Sequence, residues 1–264
     1  MPLYTKTLPI QPNDQATNDK IISLAKKQSA VFDQVLQGIV PGMTTADLAD
    51  IARKAASEIE IEFSFRKKFS FPEDISVCRN HEIINGIPKH DSLIAEGDLV
   101  KLSLGTNESM SAFCTQTWTV LVGAEKTSPE KLRLLSSTKK CLNSAIEICT
   151  PGTKVSTIVT ALNEVAKIEN IVLSDSFVGH LIGKEPIMPP HFVLPKGLVG
   201  EDHALSVGTV FSLLALGHST KPKEKLAEDK WTVVEKERLP SAAFSHMILI
   251  SANGPQILTS TYED

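Results

Sequence analysis

Apolar residues recur at helical spacing in two segments of the first half of the chain, on either side of a Pro-Gly break. The first segment follows Asn18 and Asp19, either of which could cap a helix. The break is Pro41-Gly42, and Thr44 or Thr45 could cap the second amphipathic segment. This pattern predicts two helices that each bury one face against a core.

The second half repeats this order, with helices predicted over 129–148 and 155–166. In the first half, strand-like residues follow the helices over 63–76. Short motifs also recur in the same order at an offset of about 110 residues. The matching motifs are Pro41-Gly42 with Pro151-Gly152, Ile87-Pro88-Lys89 with Leu194-Pro195-Lys196, Gly97-Asp98-Leu99-Val100 with Gly208-Thr209-Val210-Phe211, and Leu104-Gly105 with Leu216-Gly217. The repeat predicts two similar halves.

Two halves that each run helix, helix, then strands indicate an α+β fold with pseudo-twofold symmetry. The strands would join into one curved antiparallel sheet, with helices on its outer face and a pocket on its inner face where the halves meet. We predict an N-terminal arm over 1–17 and a single domain over 18–264, with halves of about 18–125 and 126–264. The absence of a Gly/Ser- or Pro-rich linker near residue 125 argues against two separate domains.

The segment from Glu96 to Gly105 is predicted to be a strand of the central sheet. Because side chains alternate along a strand, Leu102 and Leu104 would share one face, while Lys101, Ser103 and Gly105 would share the other. Ser103 would then lie in the middle of the second face, and a pocket on that face would be lined by a hydroxyl at this position.

Composition narrows the classes of function. With 264 residues, 42% hydrophobic and 22% charged, the chain can bury a sizeable core without disulfides or metals. The formal net charge of -4 gives no general attraction to phosphate, so nucleic acid is not expected as a direct partner. Four irregularly spaced cysteines, no signal-peptide pattern in the first sixteen residues and no long apolar run favour a cytoplasmic protein that does not cross a membrane.

Several ordered motifs resemble those of methionine aminopeptidases, which are members of peptidase family M24. They are Pro41-Gly-Met-Thr, Phe71-Pro-Glu-Asp-Ile-Ser-Val, Asn85-Gly-Ile-Pro, Glu96-Gly-Asp-Leu-Val-Lys, Gly179-His-Leu-Ile-Gly, Gly208-Thr-Val-Phe and Ala243-Phe-Ser-His246. The resemblance implies a pita-bread fold of two related halves. It also implies that Asn85 stands where the family has a substrate-orienting His. The segment after Gly183 is shorter than the family pattern and lacks the stretch that carries a second His.

In the active members that the chain resembles, two divalent metals are held by two Asp, one His and two Glu. The matching positions here are Ser103, Cys114 (or Thr115 when counted back from Gly123), His180, Leu214 and Ser245. Only the His is retained. Without anionic ligands, two neighbouring dications would repel each other with nothing to offset the repulsion. We therefore predict no metal, with a single weakly bound divalent metal at His180 as the alternative.

The leading hypothesis is a non-catalytic relative that works by binding, as do relatives that keep this fold without its metals. The resemblance places Phe71, Asn85 and Ile87 in a pocket for a small apolar side chain. The expected partner is a protein, a nascent chain, a ribosomal surface or a small ligand. Two alternatives remain, a metal-free enzyme that uses Cys114, His180 or Asn85, and a residual aminopeptidase with one metal. His246 is expected on the sheet face opposite Ser245.

Overall fold

The α-helices follow the predicted order. A computed structural model of the protein describes residues 4–123, 128–175, 178–192 and 200–262. Its helices are α1 (Gln15–Gln37), α2 (Thr45–Glu58), α3 (Phe65–Phe69), α4 (Pro129–Glu147) and α5 (Val155–Ile168). Helices α4 and α5 start at the predicted residues and end within two residues of the predicted ends, which confirms both. Among the described residues, no helix is both long enough and apolar enough to span a bilayer.

The strands form one large sheet and two small ones. They are β1 (Tyr4–Pro9), β2 (Glu62–Phe63), β3 (Ile75–Arg79), β4 (Glu82–Ile84), β5 (Leu99–Glu108), β6 (Ala112–Leu121), β7 (Val172–Leu173), β8 (Gly179–Leu181), β9 (Met188–Phe192), β10 (Gly200–Ala204), β11 (Val210–His218), β12 (Glu224–Leu226), β13 (Val233–Glu235), β14 (Ser241–Ser251) and β15 (Gly254–Ile257). The large sheet has the order β2-β5-β6-β14-β11-β8-β9, with β3 on β5, β7 on β11 and β15 on β14.

The two halves meet in the middle of the large sheet, where β6 of the first half lies beside β14 of the second. Helices α1 and α2 cover the first half, and α4 packs on β11 and β14 of the second. Two small sheets link the halves further, since β1 pairs with β10 and β4 pairs with β13. The predicted arm over 1–17 therefore contains strand β1 and the start of α1. The repeat motif at 194–196 lies outside the described residues.

The start of α1 differs from the prediction. Asp14 caps the helix, and its carboxylate accepts the backbone N–H of Thr17 at 2.7 Å. The predicted caps Asn18 and Asp19 are wrong, because both lie inside the helix. Asn18 makes a tertiary contact instead, because its side-chain amide donates to the carbonyl of Gly208 at 2.8 Å.

Thr44 caps α2, which confirms one of the two predicted caps. Its hydroxyl accepts the N–H of Asp47 at 3.1 Å, and the Asp47 carboxylate accepts the N–H of Thr44 at 2.7 Å. This reciprocal capping box satisfies two backbone donors that the first turn of a helix otherwise leaves free.

The predicted strand over 63–76 is wrong for most of its length. Only its ends are extended, in β2 and β3, and α3 occupies its middle. Phe65 and Phe69 lie one helical turn apart and pack edge to face at 6.3 Å between ring centroids. Ser70 then adopts a left-handed conformation with φ of 56°, which ends the helix. The segment therefore supplies an aromatic surface above the sheet.

The face alternation predicted for β5 is confirmed. Leu102 and Leu104 are fully buried under the helices, in the main core with Trp118, Phe211 and Phe244. Lys101, Ser103 and Gly105 point to the inner face. At Gly105 a Cβ atom would approach the Phe65 ring to 2.7 Å, so α3 can cross this strand only because the residue is glycine.

The seam between β6 and β14 has one paired position, Thr117 opposite Ser245. Side chains complete the connection next to it. The hydroxyl of Thr119 donates to the carbonyl of Ala243 and also accepts the N–H of Ala243, both at 2.7 Å. Hydroxyl groups thus take the place of part of the backbone ladder at this seam.

Candidate ligand-binding site

The floor of the site is a chain of hydroxyl groups on the inner face of the sheet. Ser103 and Thr117 lie opposite each other, and their side-chain oxygens are hydrogen-bonded at 2.8 Å. The N–H of Thr117 donates to Ser245 Oγ across the seam, also at 2.8 Å, and Leu214 lies opposite Ser245. The structure therefore brings together three of the matched positions, Ser103, Leu214 and Ser245, and gives both serines hydrogen-bond partners.

Above this floor is a cavity of about 350 Å³, which we name the histidine chamber. Its lining residues are Thr115, Thr117, Val178, Gly179, His180, Ile187, His191, Phe192, Ser212, Leu214 and Ser245. Ser103 is not among these lining residues, and its hydroxyl is bonded to that of Thr117. The lining combines hydroxyls and imidazoles with apolar groups.

His180 lies on β8, where it is paired with Ser212 on one side and His191 on the other. Its Nδ1 is 3.1 Å from the carbonyl of Leu181, so an Nδ1–H can donate there and leave Nε2 as an acceptor. Burial, the main cause, lowers the pKa of His180, and the nearby His191 lowers it further. The imidazole is therefore neutral at neutral pH.

His191 is not among the site residues predicted from the sequence. It lies five residues beyond Pro186, on a strand whose pairing with β8 is set by tertiary structure. The only local signal was that a His follows His180 within eleven residues, in the short segment from Met188 to Phe192. Cross-strand neighbours have Cβ atoms about 5 Å apart, which is close enough for both imidazoles to contact one bound group.

Cys114 lies on the other face of the sheet from the chamber. It is paired with Thr106, whose hydroxyl donates to Gln28 of α1 at 2.8 Å, so both residues face the helices. Burial raises the pKa of the Cys114 thiol. Cys114 and His180 both contribute to the lining of a small neighbouring cavity, but the raised pKa of the buried thiol disfavours the thiolate that a Cys114–His180 dyad would require. The residue of β6 that faces the chamber is Thr115, the alternative obtained by counting back from Gly123.

The residues of the chamber do not fit a pair of divalent metals. Among the described residues that line it there is no Asp or Glu, and the described chain contains no group of three or more His, Cys, Asp or Glu side chains that could hold a metal ion. Hard divalent cations in dinuclear sites rely on carboxylate oxygens, and neutral hydroxyls cannot offset two double charges.

A second cavity, of about 410 Å³, adjoins the chamber, and we name it the aromatic pocket. Its lining residues are Phe65, Phe69, Phe71, Ser76, Asn85, Ile187 and Trp231. Phe71 packs edge to face against Phe65 at 6.1 Å and against Trp231 at 5.4 Å. Phe71 and Asn85, two of the residues that the resemblance places in a pocket, line this cavity, whereas Ile87 is not part of its described lining. Trp231, which the sequence analysis missed as a pocket residue, forms one wall.

A buried polar cluster lies further along the inner face. Lys101 donates to the carbonyls of Asn80 and Ser241, both at 3.0 Å, and burial lowers its pKa to about 8. His218 is 2% exposed, and neither ring nitrogen has a hydrogen-bond partner among the described residues. Burial and then the charge of Lys101 lower the pKa of His218 to about 4, and only Glu235 opposes this.

His246 is on the helix side of the sheet, as predicted. Its Nδ1 is hydrogen-bonded to the carbonyl of Thr259, and its ring lies 5.1 Å from that of Trp118. It takes no part in either cavity. The neighbouring Ser245 points to the chamber instead, which follows from the alternation of side chains along β14.

Comparison with known proteins identifies the class to which this fold and site belong. The family model "Metallopeptidase family M24" matches residues 19–252, and the chain belongs to this family. It is 30% identical to the methionine aminopeptidase of Aquifex aeolicus over 263 residues, which cover 95% of this chain and 98% of that protein. It is 28% identical to methionine aminopeptidase A of Synechocystis over 248 residues, covering 91% and 94% respectively.

Solved structures show the same architecture. Methionine aminopeptidase from Thermotoga maritima superposes with a TM-score of 0.87 at 23% sequence identity, covering 95% of this chain and 99% of that one. The prolidase from Pyrococcus horikoshii OT3 gives a TM-score of 0.73 at 15% identity, covering 95% of this chain and 63% of that one. The fold is therefore the pita-bread fold, and the expected fold class is confirmed.

Proposed function

We propose that this M24 protein binds the N-terminal end of a polypeptide through an apolar side chain, without metal-dependent cleavage. The observation that carries the proposal is the contrast between its two cavities. The aromatic pocket has a mostly apolar lining and is large enough to take an apolar side chain with part of the chain that carries it, whereas the adjoining chamber has no carboxylate in its described lining.

The chemistry of the chamber supports binding rather than hydrolysis. Cleavage of a peptide bond by two metals requires ligands that hold the cations and a bridging water of lowered pKa. Here the hydroxyls of Ser103 and Thr117 bond to each other, Ser245 Oγ accepts the backbone N–H of Thr117, and none of these groups carries a charge. They can hydrogen-bond a neutral polar group, but they supply neither the charge for the cations nor a nucleophile of lowered pKa.

The lining of the aromatic pocket indicates the chemistry of the proposed ligand. Four aromatic rings favour a thioether or aliphatic side chain, because sulfur and methylene groups pack well against aromatic rings. Methionine at a free chain end is the simplest such group, on a nascent chain, at a ribosomal surface or in a partner protein. Four buried free cysteines fit a reducing compartment, and we place the protein in the cytoplasm.

The test combines three measurements on the purified chain, namely elemental analysis, turnover of the tripeptide Met-Ala-Ser with added Co²⁺ or Mn²⁺, and calorimetric binding of the same tripeptide. We expect no stoichiometric metal, no turnover, and binding that is lost in Trp231→Ala but kept in Ile168→Ala. Ile168 is 78% exposed on α5 and lies outside both cavities, so it controls for the loss of an apolar side chain.

Each alternative predicts a different result. Turnover that depends on one equivalent of metal would establish a residual aminopeptidase with a single metal at His180. Turnover without metal would establish a metal-free enzyme. If the tripeptide does not bind the wild-type protein and is not cleaved, the proposal for the aromatic pocket is wrong.

A further inference from the structure

Ile187 occupies a special position between the two cavities. It is the one residue that the described linings of the histidine chamber and the aromatic pocket share. A third, smaller cavity of about 130 Å³ shares lining residues with both, and Ile187 lines that cavity too, together with Phe65, Thr115 and His180. The side chain is 47% exposed although it is large and apolar. It therefore stands at the boundary between an apolar compartment and a polar one.

The turn that precedes Ile187 contacts two other elements, α3 and the start of α1. The carboxylate of Glu185 forms an ion pair with Lys68 of α3, and Lys184 Nζ lies 2.8 Å from the carboxylate of Asp14. The N–H of Gly183 donates to the carbonyl of Glu185 at 3.1 Å, which closes a tight turn. A β-branched side chain on such a segment has few accessible rotamers, so Ile187 works as a fixed wall.

We propose that Ile187 is a specificity-determining residue that keeps a ligand in the aromatic pocket from extending into the histidine chamber. This inference rests on the proposed function and deepens it. An apolar end group fills the pocket beside Phe71 and Trp231, while the polar backbone that follows is kept away from His180. The wild-type protein then selects its ligand by the end group alone.

Removal of the wall should join the compartments. In Ile187→Ala, a peptide whose end group fills the pocket can place its next carbonyl and N–H groups among the hydroxyls and imidazoles of the chamber. Each well-placed polar contact adds affinity, because these groups are only partly exposed to water and already fixed in position. A short ligand that fills only the pocket gains nothing from the change.

The experiment uses two probes on the full-length protein, 3-(methylthio)propylamine as the short one and Met-Ala-Ser as the long one. Affinities are measured by calorimetry, and the imidazole signals of His180 and His191 by NMR. In the wild type, neither probe should shift these signals. In Ile187→Ala, the tripeptide should bind about tenfold more tightly and shift both histidine signals, while the affinity of the short probe stays the same.

Two further variants control for size and for nonspecific loss of apolar surface. Ile187→Val keeps the branched wall and should behave as the wild type, and Ile168→Ala makes the same chemical change at a remote exposed site. The inference is overturned if the tripeptide shifts the histidine signals of the wild type, or if Ile187→Ala leaves both its affinity and those signals unchanged. Failure of the short probe to bind the wild type would instead contradict the proposed function.

Discussion

The aromatic pocket and the histidine chamber share one wall but are built in opposite ways. The pocket depends on shape, since Phe71 fixes its position by edge contacts with Phe65 and Trp231. The chamber depends on polar groups that satisfy each other, as the bonds of Thr117 to Ser103 and Ser245 show. An apolar site needs only side chains of suitable volume, whereas a dinuclear metal site needs a charged ligand at nearly every position. An apolar pocket therefore tolerates more changes of sequence than a dinuclear metal site does.

The largest expected effect concerns which residue of β6 belongs to the chamber. Cys114→Asp would place a carboxylate among the apolar residues Ile21 and Leu24 of α1, at a cost on the order of 5 kcal/mol. Thr115→Asp puts the same group at the open cavity and should cost less than about 1 kcal/mol. Urea denaturation of the two variants checks this. Equal destabilisation would show that the assignment of faces is wrong.

The second prediction tests the apolar packing of the aromatic pocket. Phe71 is 6% exposed, and Phe71→Ala should lower the free energy of unfolding by about 3–4 kcal/mol through lost burial and a new cavity. It should also abolish binding of the short thioether probe. The control is Phe69→Ala, which removes a more exposed ring from the same pocket and should destabilise the protein less. Denaturant titration and calorimetry give the two readouts.

A third prediction concerns His218, whose ring nitrogens have no hydrogen-bond partner among the described residues. His218 has a pKa of about 4 in the folded protein, against an ordinary value of about 6.5, because burial and Lys101 oppose its protonation. The unfolded chain therefore takes up the proton first. Stability contributed by the neutral ring is complete above pH 6.5 and is lost as the pH falls toward 4, by about 3 kcal/mol.

His218→Leu should flatten this part of the pH profile of stability, while His90→Leu, at an exposed position, should leave it unchanged. The charged groups that act on the ring are Lys101 from β5 and Glu235 from β13, and both are kept in the test variant. Denaturation midpoints between pH 4 and pH 8 provide the measurement. An unchanged profile in His218→Leu would show that other groups cause the acid sensitivity.

The smallest expected effect concerns the segment that carries Ile187. Glu185→Gln removes the ion pair with Lys68 at a site that is largely exposed, so the free energy of unfolding should change by less than about 1 kcal/mol. The change should shrink further at high salt, because screening weakens surface ion pairs. A large loss of stability that is independent of salt would show that Glu185 acts through an unscreened contact and not through an exposed ion pair.

The helices and the general architecture could be predicted from the sequence because their signals are local. The Pro-Gly breaks, the Thr44 cap and the apolar periodicity all lie within the segments that they define. The cap of α1 was misplaced for a tertiary reason, since Asn18 bonds to Gly208 in the other half. Helix α3 was missed because its Phe65 and Phe69 fit a strand pattern equally well, and their contact surface is supplied from elsewhere in the chain.

The site was harder to predict because it depends on pairing between distant strands. A count of residues along the β5–β6 hairpin left Cys114 and Thr115 as alternatives, and a shift of one residue moves a side chain to the other face of the sheet. The register of the strands favours Thr115. His191 and Trp231 had no sequence signal that tied them to His180 and Phe71, since only the pairing of β8 with β9 and of β4 with β13 brings them there.

The seam at Thr119 also bears on the dynamics of the protein. Hydroxyl groups there replace part of the backbone ladder between the two halves, and a hydroxyl can rotate away without breaking a long series of neighbouring bonds. We expect the amides of Thr117 and Ala243 to exchange with solvent through partial openings of lower free energy than those of the β5–β6 ladder. The two halves would then separate along this line before either of them unfolds, and the floor of the ligand site would open with it.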